Sequence, residues 1–262
     1  MNFRKYERLS FDRKANGVLL VTIDRPEKYN AADARMLSEF TSVWRDIQED
    51  EATRVAVITG RGRAFSAGGD LNEEREKLND FPSVVKVMAE ARGLVANMLE
   101  CQKPVISAIN GPAACAGLAI ALLSDISIIG EDVKFTDGHV RIGLAAGDHA
   151  ALIWPLLCGM AKAKYLLLTA ERIDGREAER IGLVSKAVPA ETVLEEALSV
   201  AQSLAQGPQY ALQWTKHALN NWLRLAMPTF ESSLGLEMLT FFSPDAQEGM
   251  SAFLERRDPR FS

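Results

Sequence analysis

The segment from Pro104 to Ser124 contains no charged side chain, and it constrains the fold more than any other part of the chain. Its length raises the question of a membrane span, but Asn110-Gly111-Pro112 divides it into two shorter pieces. The first, Val105 to Ile109, has the composition of a strand buried on both faces. The second, Gly117 followed by Leu118-Ala119-Ile120-Ala121-Leu122-Leu123, is apolar all round a helix. Both must be enclosed by other layers, which requires a large core. A chain of 262 residues, 47% of them hydrophobic, can supply it.

Strand and helix signals alternate along the first two thirds of the chain. Gly17 to Ile23 is a short β-branched run ending at Asp24-Arg25-Pro26, and Asp33 to Glu49 then shows helical spacing of Met36, Leu37, Phe40, Val43, Trp44 and Ile47. Val55 to Gly60 and Ile126 to Gly130 are two further buried-strand signals. This alternation predicts an α/β chain with right-handed crossovers. The Glu73 to Val95 stretch gives no clear element. From Asp148 the pattern turns helical, with Ala150–Leu157, Ala161–Thr169, Gly175–Ile181 and Val193–Ala205 as expected helices and a last strand over Leu183–Val188. Pro208 opens a helix towards Trp222, and a separate one is expected after Pro228, running to about Phe242. The expected division is a core of residues 1–200 and a helical C-terminal region of residues 201–262.

A formal charge of −5 and a pI near 5.4 argue against general attraction to nucleic acid or anionic membranes. Cys101, Cys115 and Cys158 are widely spaced in apolar sequence, so buried thiols are expected rather than disulfides or a metal site. The first residues, Met-Asn-Phe-Arg-Lys-Tyr-Glu, lack the apolar stretch of a signal peptide, and a cytoplasmic location is expected.

Four motifs occur in order. They are Val18–Asn30 with Asp-Arg-Pro-Glu-Lys-Tyr-Asn, the loop Phe65-Ser66-Ala67-Gly68-Gly69-Asp70-Leu71, the segment from Lys103-Pro104-Val105 to Gly117, and Glu248-Gly249-Met250-Ser251-Ala252-Phe253-Leu254-Glu255-Arg256-Arg257. Together they resemble the crotonase, or enoyl-CoA hydratase/isomerase, superfamily over nearly the whole chain. The resemblance implies a spiral of repeated ββα units, a helical C-terminal region that packs across subunits in a homotrimer or hexamer, and an acyl-CoA substrate without a further cofactor or metal. It also implies that the backbone N–H groups of Gly69 and Ala116 form an oxyanion hole. Ala67, Gly68 and Leu71 would line the coenzyme A path beside Asp70 and Gly117, and Arg25 would lie near the phosphates. The chemistry is consistent with that role: a thioester carbonyl becomes enolate-like when its α-carbon loses a proton, and preorganised amides stabilise the charge.

The catalytic positions depart from the family. Where hydratases of the family carry two glutamates, this chain has Ala119 and His139. His139 and Asp148 are the expected replacement, an imidazole whose tautomer an aspartate fixes. The pair, with Gly147-Asp148-His149-Ala150-Ala151-Leu152-Ile153-Trp154-Pro155, resembles the oxocamphor hydrolase branch, which cleaves a carbon–carbon bond in a β-diketone; the additional histidine of that branch would fall near Cys115. Asp148 as a helix N-cap is the competing reading. His149 is expected to face solvent or cap locally, and His217 to lie on the surface. Asp137 and Arg141 are nearby polar candidates that ion pairs would explain equally well. Glu237 would be a distal acid or base, or simply a carboxylate on a helix face or in an intersubunit salt bridge. Arg256, Arg257 and Arg260 would meet coenzyme A phosphates or form a solvated face. Three readings follow: a hydratase or isomerase of acyl-CoA, a carbon–carbon hydrolase or lyase of a β-dicarbonyl compound, and a non-catalytic acyl-CoA-binding module.

Overall fold

The computed structural model describes residues 3–262. Six strands form one sheet in sequence order: β1 (Leu9–Arg13), β2 (Val18–Ile23), β3 (Val55–Gly60), β4 (Val105–Ile109), β5 (Ile126–Gly130) and β6 (Lys186–Val188). β1 runs antiparallel to β2, and every later neighbour is parallel. β1 was not expected, because Leu9-Ser10-Phe11-Asp12-Arg13 is a half-exposed edge strand without an apolar run. β6 is shorter than the expected Leu183–Val188.

The chain returns between parallel strands through α1 (Ala34–Glu49), through α2 (Leu71–Glu76) with α3 (Phe81–Glu100), and through α4 (Cys115–Leu123). The extended loops that follow β2, β3 and β4 touch one another in parallel bridges, Ala32 with Gly69 and Ser66 with Ala113. Each turn thus has a long strand, a short extended piece and a helix, which is the ββα spiral. The stretch from Glu73 to Val95, unassigned from sequence, holds the end of α2, a turn over residues 77–80 and most of α3.

Both sheet faces are covered. Val18, Leu20, Val55, Val57, Ile106 and Ile128 pack against Val193, Ala197, Ala201 and Ala205 of α8 (Val193–Gln206). Leu19, Val21, Ile23, Ile58 and Ile109 point the other way, into the core shared with α1, α3 and α4. A strand so enclosed loses the polar alternation of a one-sided sheet. The expected division after residue 200 falls within α8, whose last two alanines seat against the strands.

α5 (Ala150–Cys158), α6 (Met160–Thr169) and α7 (Gly175–Arg180) precede β6, and α9 (Gln209–Thr240) and α10 (Pro244–Glu255) end the chain. The break expected at Pro228 does not occur: α9 is one helix of 32 residues with the proline inside it. Proline removes one helical hydrogen bond, but packing holds both sides. Asn220 Nδ2 donates to the Leu99 carbonyl before it, and Phe230, Leu234 and Met238 are buried after it. α9 packs on α3 and α5, and α10 lies over α2 and a 3-10 turn at His139–Ile142. The three cysteines are free thiols; Cys101 is buried as expected, while Cys115 and Cys158 are only partly so. Among the described residues no helix is long and apolar enough to cross a membrane.

Candidate active site

The loops after β3 and β4 meet at a cavity of about 250 Å³. Ala67, Gly69 and Leu71 line it from the first loop, and Ala114, Cys115 and Ala116 from the second. Ala32 N–H donates to the Gly68 carbonyl at 2.6 Å, and Asp70 N–H donates to the Ala32 carbonyl at 2.9 Å. This parallel bridge uses the amides on either side of Gly69 and turns the Gly69 N–H the other way, towards the cavity. Ala116 lies in the first turn of α4, where amides lack a helical acceptor. The carbonyl that would serve it, that of Pro112, accepts from Phe65 and Ser66 instead. Two amides without a partner among the described residues therefore stand in the wall of one cavity. Gly68 makes the turn at φ +89°, and Gly117 lets α4 approach so closely that a Cβ there would fall 2.5 Å from that of Ser66.

Gly68, Asp70, Gly117 and Arg25 do not line the cavity. Arg25 bonds to Asp70 at 3.0 Å and the Ala31 carbonyl at 3.0 Å, and it lies 3.6 Å from Asp33. Asp70 also accepts from the Asn72 amide as the N-cap of α2. Burial would raise the Asp70 carboxyl, yet Arg25 and that amide hold it below its ordinary range. These residues clamp the loop that carries Gly69.

His139 is 3% exposed at the cavity's inner end. Its Nδ1 lies 2.8 Å from Asp137 Oδ1, which also accepts the His139 backbone N–H at 3.2 Å. The carboxylate that fixes the ring is thus Asp137, whereas Asp148 lies 3.8 Å from Nε2. Glu237 Oε1 lies 3.7 Å from the same nitrogen. Asp148 does not cap α5; its Oδ1 is 2.6 Å from Nδ1 of His149. His149, expected to face solvent or cap locally, is 0% exposed at the N-cap position of α5, without a side-chain cap bond. Trp154 Nε1–H donates to its Nε2 at 3.4 Å, so the proton sits on Nδ1 and points at Asp148.

Glu237 reaches the cavity from α9, whose Ser233 hydroxyl donates to the Gly147 carbonyl and whose Thr240 hydroxyl accepts from the Ala145 amide. The helix thereby pins the loop that carries Asp148. Glu237 is 5% exposed, and its Oε2 is buried without a hydrogen-bond partner among the described residues, as is Asp137 Oδ2. This corrects the reading of Glu237 as a helix-face or intersubunit carboxylate. The signal was present in the sequence: Glu237 continues the spacing of Phe230, Leu234 and Phe241.

The environment separates the two carboxylates. Burial, reinforced by Asp148 and Asp137, raises the Glu237 carboxyl well above its usual value despite the opposing pull of His139. Burial would raise Asp148 too, but His149 and His139 bring it down to about 2. Burial pulls His139 down, and the combined negative field of Asp137, Cys115, Asp148 and Glu237 overturns this and leaves it well above an ordinary histidine. Burial raises the Cys115 thiol, against the lowering effect of the His139 ring within hydrogen-bonding reach. The site thus brings a retained acid and a retained carboxylate to the same nitrogen of one imidazole. The ring nitrogens and carboxylates are close enough to hold a cation, His139, Asp148 and Glu237 having donor atoms within 4.8 Å of one another.

Ala119 lines the cavity beside Leu94, Leu144 and Phe241 as part of an apolar wall. Arg141 and Arg172 line it as exposed residues with no ion pair among the described residues. His217 is exposed, as expected. Arg257 pairs with Glu248 and Glu255 at the surface, and the Arg260 amide donates to Glu248.

The family model of enoyl-CoA hydratase/isomerase matches residues 13–262. A probable enoyl-CoA hydratase from Mycobacterium tuberculosis is 31% identical over 98% of this chain and 98% of its own length. Among solved structures, an enoyl-CoA hydratase/isomerase from Mycobacterium paratuberculosis superposes with a TM-score of 0.89 at 32% identity, covering 93% of this chain and 97% of its own. A β-diketone hydrolase from the cyanobacterium Anabaena, bound to (S)-3-oxocyclohexyl acetic acid, gives a TM-score of 0.85 at 31% identity, covering 91% and 96%. With its ββα spiral and paired loops already described, the chain belongs to the enoyl-CoA hydratase/isomerase family of the crotonase superfamily.

Proposed function

We propose that the chain is an acyl-CoA-processing enzyme of the hydratase/isomerase type that stabilises a thioester enolate with Gly69 and Ala116 and moves protons with His139, Asp148 and Glu237 in place of two glutamates. The observation that carries this reading is the convergence of Asp148 and Glu237 on His139 Nε2, in the cavity that the two unpaired amides share. Each amide would stabilise the enolate oxygen by about 3 kcal/mol. Glu237, kept protonated by burial, is the acid for the α-carbon. Asp148, which stays ionised, is the carboxylate that with His139 orients the attacking water. Coenzyme A is the carrier part of the substrate and no further cofactor enters the scheme. A homotrimer or hexamer is the proposed assembly.

The likeness to the β-diketone hydrolase supports a second reading, in which His139 activates water to cleave a carbon–carbon bond beside the same enolate. Hydration of crotonyl-CoA, followed as loss of enone thioester absorbance in wild type and His139→Ala, tests the first. Turnover that falls by about 10²- to 10⁴-fold in the variant is the expected result. Turnover that ignores the substitution overturns the site. Bound coenzyme A without any hydration transfers the assignment to β-dicarbonyl cleavage, or, if those compounds are also untouched, to a binding module.

A further inference from the structure

Cys115 occupies a position that the scheme above does not use. β4 leads through a short loop to Cys115, the first residue of α4, which has φ +44°. L-residues rarely adopt this left-handed conformation, and retained strain of this kind concentrates at functional sites. The amide that follows, Ala116 N–H, is one of the two unpaired donors at the cavity, and Gly69 supplies the other from a separate loop. A strained nucleophile between a strand and a helix, with an oxyanion hole made by the next amide and one from a neighbouring loop, is the geometry of the nucleophile elbow of acyl-transferring hydrolases. Gly117, two residues on, permits the close approach to Ser66.

The other requirements of a nucleophilic thiol are also met. The Cys115 side chain lines the cavity and lies within hydrogen-bonding reach of His139. Asp137 occupies Nδ1 of that ring at 2.8 Å, which leaves Nε2 as the nitrogen able to accept a proton. Burial holds the Cys115 thiol in its protonated form, and the His139 ring is the group that works against this.

We infer that Cys115, His139 and Asp137 form a nucleophilic triad by which the protein transfers acyl groups through a thioester on Cys115. The inference rests on the oxyanion-hole reading of Gly69 and Ala116. Cys115 gives its proton to His139 Nε2, and its sulfur bonds to the substrate carbonyl carbon while the carbonyl π pair moves onto the oxygen held by the two amides. Collapse of that adduct breaks the bond to the leaving group. With an acyl-CoA, the leaving sulfur takes the proton from His139 and departs as free coenzyme A. Water then gives a proton to His139 and adds to the Cys115 thioester. Cys115 leaves from the second adduct, recovers the proton and releases a carboxylic acid.

The test uses two probes, butyryl-CoA and p-nitrophenyl butyrate, with acid quenching, intact-protein mass spectrometry and a thiol or nitrophenol release assay. Cys115→Gly is the comparison variant, since glycine adopts φ +44° without strain. Wild type is expected to gain one butyryl group that maps to Cys115, or, where deacylation is fast, to release thiol or nitrophenol at a rate that falls at least ~10²-fold in Cys115→Gly and in His139→Ala. Acylation by the nitrophenyl ester alone supports the triad and counts against coenzyme A as the carrier. Release that is equal in wild type and Cys115→Gly, or a butyryl group on another residue, overturns the triad. If crotonyl-CoA hydration still depends on His139 in that case, the proposed function stands without it.

Discussion

Glu237 and Asp148 are the same functional group given opposite roles by their surroundings, 3.7 and 3.8 Å from one imidazole nitrogen. Glu237 has a raised carboxyl, caused first by burial. Such a group favours folding while it is protonated in both states and loses that contribution as pH rises from its unfolded value near 4.5 through its higher folded value. His139, also raised, has the same sign; Asp148, lowered to about 2, has the opposite one and weakens the fold only as pH falls towards that value. Glu237→Gln keeps the neutral shape and removes the titration. Urea midpoints of wild type and variant from about pH 5 to about pH 9 should therefore diverge in favour of the variant as pH rises; a gap that is constant with pH would show that Glu237 is ionised in the folded state. At this scale residue order singled out Gly69, Ala116, His139 and Asp148, which the fold brings to the wall of one cavity, because they lie in short loops with recognisable residue order. It missed that Asp137 orients His139 and that His149 is buried against Asp148 and Trp154, because those partnerships depend on ring orientation, which residue order does not encode. Glu237 lies far along the chain, and only the helical spacing of its neighbours announced that its face is buried.

α4 is the element on which the site depends. It starts at the cavity wall, runs into the core with Leu118 through Leu123 buried, and makes its close contact with the preceding loop at Gly117. A methyl at Gly117 would meet Ser66 Cβ at 2.5 Å and the Ser66 carbonyl oxygen at 2.8 Å, and backbone does not yield as a flexible side chain would. Gly117→Ala is expected to lower stability by about 1–3 kcal/mol, the usual cost of overpacking. Because the displaced turn carries Ala116 N–H, turnover should fall further than stability does. Denaturant unfolding with activity assays below the transition would separate the two, and a variant with wild-type stability and turnover would show that α4 has room to slide. The parallel strands and α1 were legible because burial on both faces leaves uninterrupted apolar runs and burial on one face leaves a helical stripe. β1 was not, since an edge strand needs only half its residues apolar. Nor was the continuity of α9, since tertiary contacts on both sides of Pro228 outweigh the local cost of a missing hydrogen bond.

At the scale of the whole chain, the C-terminal helices have two faces with different uses. The inner face of α9 supplies Glu237, Phe230, Leu234 and Met238 to its own chain, while α10 extends Phe253 into the cavity, so one protomer holds every site residue discussed above. The outer face presents Tyr210, Trp214, Trp222 and Leu225 at 67% exposure or more, and α6 leaves Met160, Tyr165 and Leu168 uncovered. Tyr210, Trp214 and Trp222 follow a spacing of four and eight residues, which sets them along one side of the helix. Large apolar side chains in that density on a monomer mark an association surface, and the proposed homotrimer gives it a second copy of the chain as occupant. Charge placed at its centre should block assembly without touching the core, since neither tryptophan is buried. Trp214→Glu combined with Trp222→Glu is therefore expected to convert the wild-type oligomer to monomer in sedimentation velocity, with the helical circular dichroism spectrum retained. A wild-type chain that sediments as a monomer would remove the trimer from the account, and a double variant that still assembles would move the interface off α9, to the apolar side chains exposed on α6.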